Sequence, residues 1–212
     1  TELVIPFLRN ASSEHTMTPR RYSAVSFSQR WKIQGSEWVH VNFYLNSEGI
    51  HDFLVDQLPK LADHLSRLDE ALGWFFIRYD LPAKHVRFRF HFSSTTALPS
   101  VLKLLEQATS LWMAEGRIRK HELSNYQREV ERYGGPDAID LAEEFFCADS
   151  LSVLFLLRSP LFKTPDISLY AASIFCFIKD LGLTHEEIIS CLGTGQDESL
   201  LKGYRQHKSR LS

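Results

Sequence analysis

Two segments of the chain carry residue types and spacing that could do chemistry. The first is His85-Val86-Arg87-Phe88-Arg89-Phe90-His91-Phe92. Side chains alternate across a strand, so Val86, Phe88, Phe90 and Phe92 share one face while His85, Arg87, Arg89 and His91 share the other. The apolar face must pack on helices. The opposite face displays two guanidiniums and two imidazoles in one row. Like charges lined up on a strand repel, and they are tolerated best where an anion joins them. A guanidinium grips carboxylate or phosphate with a planar bidentate fork that lysine cannot reproduce. The plainer alternative is a solvated outer face with each arginine paired to Asp or Glu.

The second segment is Tyr126-Gln127-Arg128-Glu129-Val130-Glu131-Arg132-Tyr133-Gly134-Gly135. In a regular strand, Arg128, Val130 and Arg132 fall on one face and Glu129, Glu131 and Tyr133 on the other. The double glycine permits positive φ and close backbone approach. An exposed edge strand laced by salt bridges is the bland reading of the same residues.

The elements that must position these segments follow from hydrophobic period. Glu37 to Leu45 alternates and is rich in aromatic and β-branched residues, which predicts a strand. From Gly49 to Leu68 the apolar residues recur at three and four, which predicts a helix interrupted at Pro59. Trp74 to Tyr79 and His85 to Phe92 read as a hairpin closed by a turn at Asp80 to Lys84. Leu98 to Ala114 reads as a second helix ended by Gly116, and Ile118 to Tyr133 as a longer, bent extended segment. Beyond Gly134-Gly135 the chain becomes helical, with stripes over Ile139 to Phe146, Ser150 to Leu157, Ser168 to Leu181 and His185 to Leu192. The order strand, helix, strand, strand, helix, strand predicts an α+β fold: a ferredoxin-like split βαβ antiparallel sheet with appended C-terminal helices. Residues 1–34 would be an N-terminal arm and linker, with a leading strand at Leu3 to Leu8 and a polar connection at Ala11 to Thr18. Residues 35–135 would form the sheet core, and residues 136–212 a helical part of the same domain.

The bulk numbers narrow the function classes. With 212 residues, 44% of them hydrophobic and 12% aromatic, the chain can bury a sizeable core. A formal net charge of -2 gives no basic surface for nucleic acid, so direct nucleic-acid binding is not expected. Cys147, Cys176 and Cys191 are too scattered for a disulfide framework or a zinc site, and sit in apolar sequence as small hydrophobes. No apolar run approaches the ~20 residues that span a bilayer. There is no signal-peptide pattern either, so the expectation is a cytoplasmic protein without membrane contact. The chain opens on Thr1 rather than Met, which suggests processing or a fragment of something longer.

Several motifs add a resemblance. Trp74-Phe75-Phe76-Ile77-Arg78-Tyr79-Asp80, then Pro82, then His85-Val86-Arg87-Phe88-Arg89 resembles the pattern "FFIRY, D-x-P, HxRxR". Tyr126 to Gly135, followed by Ala142-Glu143 and Asp149-Ser150, resembles "Y-x-RE-x-ERYGG … AE … DS", and Gly35-Ser36-Glu37-Trp38 resembles "GSxW". These are motifs of the glutamate-elimination domain of lantibiotic- and thiopeptide-type peptide dehydratases, the thiopeptide-type bacteriocin biosynthesis domain. The likeness runs from Leu3 to Leu192, arm included.

The resemblance implies a two-stage reaction. Another domain or a separate glutamylation subunit, using glutamyl-tRNA, esterifies Ser or Thr of a precursor peptide with glutamate. The elimination domain then removes the α-proton and expels glutamate, leaving dehydroalanine or dehydrobutyrine. It implies a glutamylated leader-core peptide as substrate and no cofactor or metal, with a homodimer left open. Carried over by motif, Arg87, Arg89 and Arg132 form a cationic pocket and Glu129 supports it, with Arg78 and His85 behind them. Family members also use a late His, in a segment like "HMHxNR", for proton transfer. Here the late candidate is His207, closer to Arg132 than the family pattern leads one to expect. His207 as a shortened equivalent, a chain that stops before that His, and proton transfer by His85 or His91 all remain open. So do two other functions on the same scaffold: a thiopeptide pyridine synthase joining two dehydroalanines, and a non-catalytic module that binds peptide or partner by β-augmentation.

Overall fold

The run Trp38–Tyr44 (β2) is the axis of the sheet, because each of its alternating faces finds a separate cover. The computed structural model describes residues 24–46, 48–68 and 71–159, with Gly182 and Thr184. Apart from those last two, they belong to one compact unit, Arg20–Lys163. A short capped helix α1 (Phe27–Arg30) leads into strand β1 (Trp31–Lys32), and β2 follows. The helical stretch is α2 (Ile50–Asp52), a π-helical turn (Phe53–Gln57) and α3 (Leu58–Ser66). Strands β3 (Ala71–Tyr79) and β4 (His85–Phe92) form the hairpin, with a cis peptide at Leu81-Pro82. Helix α4 (Leu98–Ala114), strands β5 (Lys120–Ser124) and β6 (Tyr126–Gln127), and helix α5 (Ile139–Arg158) complete it.

The main sheet has four antiparallel strands in the order β3-β4-β2-β5, while β1 and β6 pair separately. On one face, Val39, Val41 and Phe43 of β2 and Val86, Phe88 and Phe90 of β4 are buried against the helices that follow β2 and β4. There Trp112 of α4 lies edge-on to Phe43 and Phe53 and donates its indole N–H to Gln57 Oε1, 2.8 Å away. The π-helical turn sits just before Pro59, whose ring cannot donate to a carbonyl one turn back. The carbonyl of Val55, four residues ahead of Pro59, instead accepts from Arg158 Nε at 3.1 Å.

Helix α5 runs along the outer edge of β3. Gly73 gives it room, since a Cβ there would lie 3.1 Å from Cys147 Sγ. Ser150 Oγ accepts from the Phe76 backbone N–H (3.1 Å), and Leu154 joins the helix-side core. The edge of β3 is therefore covered rather than open to pairing.

The structure corrects two sequence expectations. The segment Ile118 to Tyr133 is extended only through β5 and β6. After Arg128 it winds into a turn in which Arg132 and Tyr133 donate to the Glu129 carbonyl and Gly135 to that of Val130. Local hydrogen bonds win there because Gly134 and Gly135 adopt φ of 91° and 93°, and a Cβ on Gly134 would meet Ala138 at 3.0 Å. The stripes at Ile139 to Phe146 and Ser150 to Leu157 form one 20-residue helix. Phe75 and Ile77 lie on the face opposite Phe88 and Phe90; Phe75 is fully buried there and Ile77 only partly. The expected leading strand, the Ala11 to Thr18 connection and the helices at Ser168 to Leu181 and His185 to Leu192 lie outside the described residues. No described helix is long and apolar enough to cross a membrane.

Phe88 is fully buried between sheet and helices. Phe88→Ala should cost about 3–5 kcal/mol of unfolding free energy, read by urea denaturation. A loss below about 1 kcal/mol would contradict this account of the core.

Candidate functional site

Register decides which side chains meet on the face away from α2–α4. In the β2–β4 ladder Trp38 faces His91, His40 faces Arg89, Asn42 faces Arg87 and Tyr44 faces His85. From β3, Phe75, Ile77 and Tyr79 stand beside Arg89, Arg87 and His85. From β5, Ser124, Glu122 and Lys120 stand beside His40, Asn42 and Tyr44. The result is a polar grid bounded by aromatic rings.

His85 is sandwiched between Tyr44 and Tyr79, with ring centroids 5.1 and 5.4 Å away. Its Nδ1 lies 2.7 Å from the Ala83 carbonyl oxygen and must donate, so Nε2 accepts from Arg87 Nε at 3.1 Å. Arg87 is half-buried, with its guanidinium 3.7 Å from the Tyr79 ring centroid. Arg89 is buried over the rings of Tyr126 (4.1 Å) and Phe75 (5.3 Å). Neither arginine has a carboxylate partner among the described residues. Burial lowers the Arg89 guanidinium from its ordinary value, so its charge is held under tension. The expected alternative of a solvated face with acid-paired arginines is not what forms.

A buried ion pair supports the Tyr126 ring. Arg128 grips Glu143 through Nε and Nη2 at 2.7 and 2.6 Å, and also bonds Asp140. Tyr126 donates its hydroxyl to the same carboxylate at 2.7 Å. Burial pulls Arg128 down, but its hydrogen bonds to Glu143 and Asp140 outweigh that and leave its pKa raised. Burial, then the Glu143 charge, raise Tyr126 as well. Nearby, Arg30 of α1 bonds Glu131 and holds that exposed carboxyl down to about 2.

The expected site residues distribute unevenly. Arg87, Arg89, His85 and His91 do share a face, His91 stacked on Trp38 at 4.3 Å. Arg78 faces Val86 in the ladder, so it belongs to the opposite face and is exposed. Arg132 and Glu129 lie in the turn after β6, bonded to each other at 2.7 Å. A line of rings connects that turn to Arg89: Tyr133 on Phe146, Phe146 on Phe75, Phe75 beneath Arg89. His207 lies outside the described residues. Sequence reasoning missed His40 and Asn42, although the period-two rule that exposed the arginine row would have found them in Val39-His40-Val41-Asn42-Phe43.

An antiparallel sheet covered by helices on one face, with two guanidiniums that have no carboxylate partner among the described residues on the other, defines an α+β domain with a cationic face. The profile of the family described as lantibiotic biosynthesis dehydratase C-term matches residues 38–212, and the chain belongs to that family. It is 31% identical over 189 residues to the nisin biosynthesis protein NisB of Lactococcus lactis subsp. lactis, covering 84% of this chain and 18% of that protein. It is 28% identical over 208 residues to the subtilin biosynthesis protein SpaB of Bacillus subtilis, covering 96% of this chain and 20% of that protein. The chain thus spans about a fifth of the length of these curated relatives. The crystal structure of the tRNA dependent lantibiotic dehydratase MibB from Microbispora sp. 107891 superposes with a TM-score of 0.55 at 32% identity, over 62% of this chain and 13% of that one.

His40 sets a pH dependence. Burial, reinforced by the Arg89 charge, pushes it down from 6.5 to about 4. Between those values the unfolded chain binds the proton and the native one does not. Stability contributed here is therefore full above pH 6.5 and is lost as pH falls through 4, by about 3 kcal/mol. His40→Gln should remove that increment from the difference in urea stability between pH 7 and 4. An unchanged pH profile in the variant would refute the assignment.

Proposed function

We propose that this domain eliminates glutamate from glutamylated Ser or Thr residues of a ribosomally made precursor peptide, giving dehydroalanine or dehydrobutyrine. The observation that carries the reading is Arg89, buried on aromatic rings with no described carboxylate beside it, next to Arg87 on the same face. Removal of the Cα proton forms the Cα=Cβ bond as the Cβ–O bond breaks, and glutamate departs as a carboxylate. Guanidiniums aimed at that carboxylate stabilise charge that develops in the transition state. The strand order β3-β4-β2-β5 supports the ferredoxin-like split βαβ as the scaffold. Arg132, Glu129 and His207 enter as the remaining members carried over from the family motifs, with His207 as the proton carrier. Glutamylation falls to another domain or subunit that uses glutamyl-tRNA, which places the reaction in the cytoplasm.

The test is direct. Purified protein given a glutamylated peptide should release free glutamate and convert the peptide to its dehydrated mass. Arg89→Lys should lower turnover by about 10²-fold, since charge survives but the planar fork does not. His207→Ala should accumulate glutamylated peptide. Near-normal turnover in Arg89→Lys would sink the role of the fork. A protein that ignores the ester but cyclises a peptide bearing two dehydroalanines is a pyridine synthase, and one that only retains the peptide is a binding module.

A further inference from the structure

Glu143 and Arg128 form a buried ion pair that has no part in the elimination step. Both side chains are 7% exposed. Glu143 Oε1 accepts from Arg128 Nε and from the Tyr126 hydroxyl, both at 2.7 Å, and Oε2 accepts from Arg128 Nη2 at 2.6 Å. Arg128 Nη2 also bonds the exposed carboxylate of Asp140. A buried pair is weak evidence for stability, since apolar residues of similar volume often serve as well. What this pair does supply is direction, and it supplies it to Tyr126.

Tyr126 lies between the pair and Arg89. Its ring is wedged edge-on against Trp38 and Phe75, with centroids 5.2 and 6.2 Å away, and its hydroxyl is anchored on Glu143. The Arg89 guanidinium stands 4.1 Å from the centroid of the same ring. A phenol that donates to a carboxylate makes a charge-assisted bond, and that bond pushes electron density from the oxygen into the ring. The attraction of a cation to a ring face rests on that density. Arg128, Glu143 and Asp140 bring two carboxylates against one guanidinium, so the group that anchors the ring is net acidic. Burial lowers the Arg89 guanidinium, and the Glu143 charge acts to raise it. A carboxylate in direct contact would occupy the fork of Arg89, whereas one acting through the ring leaves the fork open.

We propose that Glu143 is a positioning residue for Arg89: it fixes and polarises the Tyr126 ring, and so holds the guanidinium in place without touching it. What this does for turnover rests on the elimination reading above; the hold on Arg89 does not. Under that reading, slack in Arg89 costs transition-state stabilisation rather than substrate binding, and falls on kcat rather than KM.

Two variants test this. Tyr126→Phe deletes only the hydroxyl and leaves the Arg128–Glu143 pair whole. Arg128→Met combined with Glu143→Leu exchanges the pair for apolar side chains, which removes both charges at once and leaves neither buried alone. The first readout is the Arg89 Nε–H resonance of the intact, 15N-labelled chain, identified by its disappearance in Arg89→Lys. Ring currents of Tyr126 and Phe75 displace that resonance, so both variants should move it while keeping cooperative urea unfolding. The second readout is glutamate release from a glutamylated peptide, where both should lower kcat about 10- to 100-fold with KM little changed. Should the double variant not fold, Tyr126→Phe carries the test alone. A resonance that stays in place overturns the proposal. So does one that moves while kcat stays at the wild-type value. If the wild type releases no glutamate, the elimination reading falls and the resonance alone decides: a moved signal leaves Glu143 as the positioning residue of Arg89, and an unmoved one overturns it.

Discussion

The cationic face depends on keeping one guanidinium charged and buried at once. Arg89 has lost its water and gained no described carboxylate, and what it has instead is aromatic: Tyr126 at 4.1 Å and Phe75 at 5.3 Å. A desolvated cation–π contact contributes about 2 kcal/mol, while burying a charge costs several, so the rings offset the burial only in part. That shortfall matters. A carboxylate in their place would have satisfied Arg89 and closed the site, whereas rings hold the fork in position and leave its charge available.

The platform is itself held by a contrasting arginine. Arg128 is as deeply buried as Arg89 but is gripped by Glu143, and that carboxylate also takes the Tyr126 hydroxyl. One acid on α5 thereby fixes the ring under Arg89 and ties the helix to the strand that supplies the ring. Losing one partner of a buried pair is far more damaging than replacing both. The geometry around Arg89 is thus only as firm as the docking of α5. That docking is reinforced where Phe146 packs on Phe75, where Ser150 caps Phe76 and where Arg158 meets Val55.

How much of this was legible in the sequence follows from how local each cause is. The strand His85–Phe92 could be read to the residue, because every second side chain is Val or Phe and one face had to be buried. The same rule applied to β2 yields His40 and Asn42, but two isolated polar residues in an aromatic run carry no obvious chemistry until register sets them beside Arg89. The Tyr126 to Gly135 segment misled because its alternating charges imitate a strand. Two positive-φ glycines and backbone bonds to Glu129 and Val130 turn it instead, so that Arg128 is buried and Arg132 is exposed. Arg78 was placed with the other arginines by motif alone, and strand parity puts it on the opposite face.

The two arginines of the row reach similar charge through opposite supports, and this divides their roles. Arg87 is tethered through a hydrogen bond from its Nε to a neutral His85, whose other nitrogen is committed to the Ala83 carbonyl. His85 therefore serves Arg87 as an acceptor. Arg89 has no such tether, and its direction comes from packing on rings anchored by Glu143. Arg87, half-exposed, can therefore shift by releasing one hydrogen bond. Arg89 cannot move without displacing Tyr126, so the buried guanidinium is the fixed point of the cationic face.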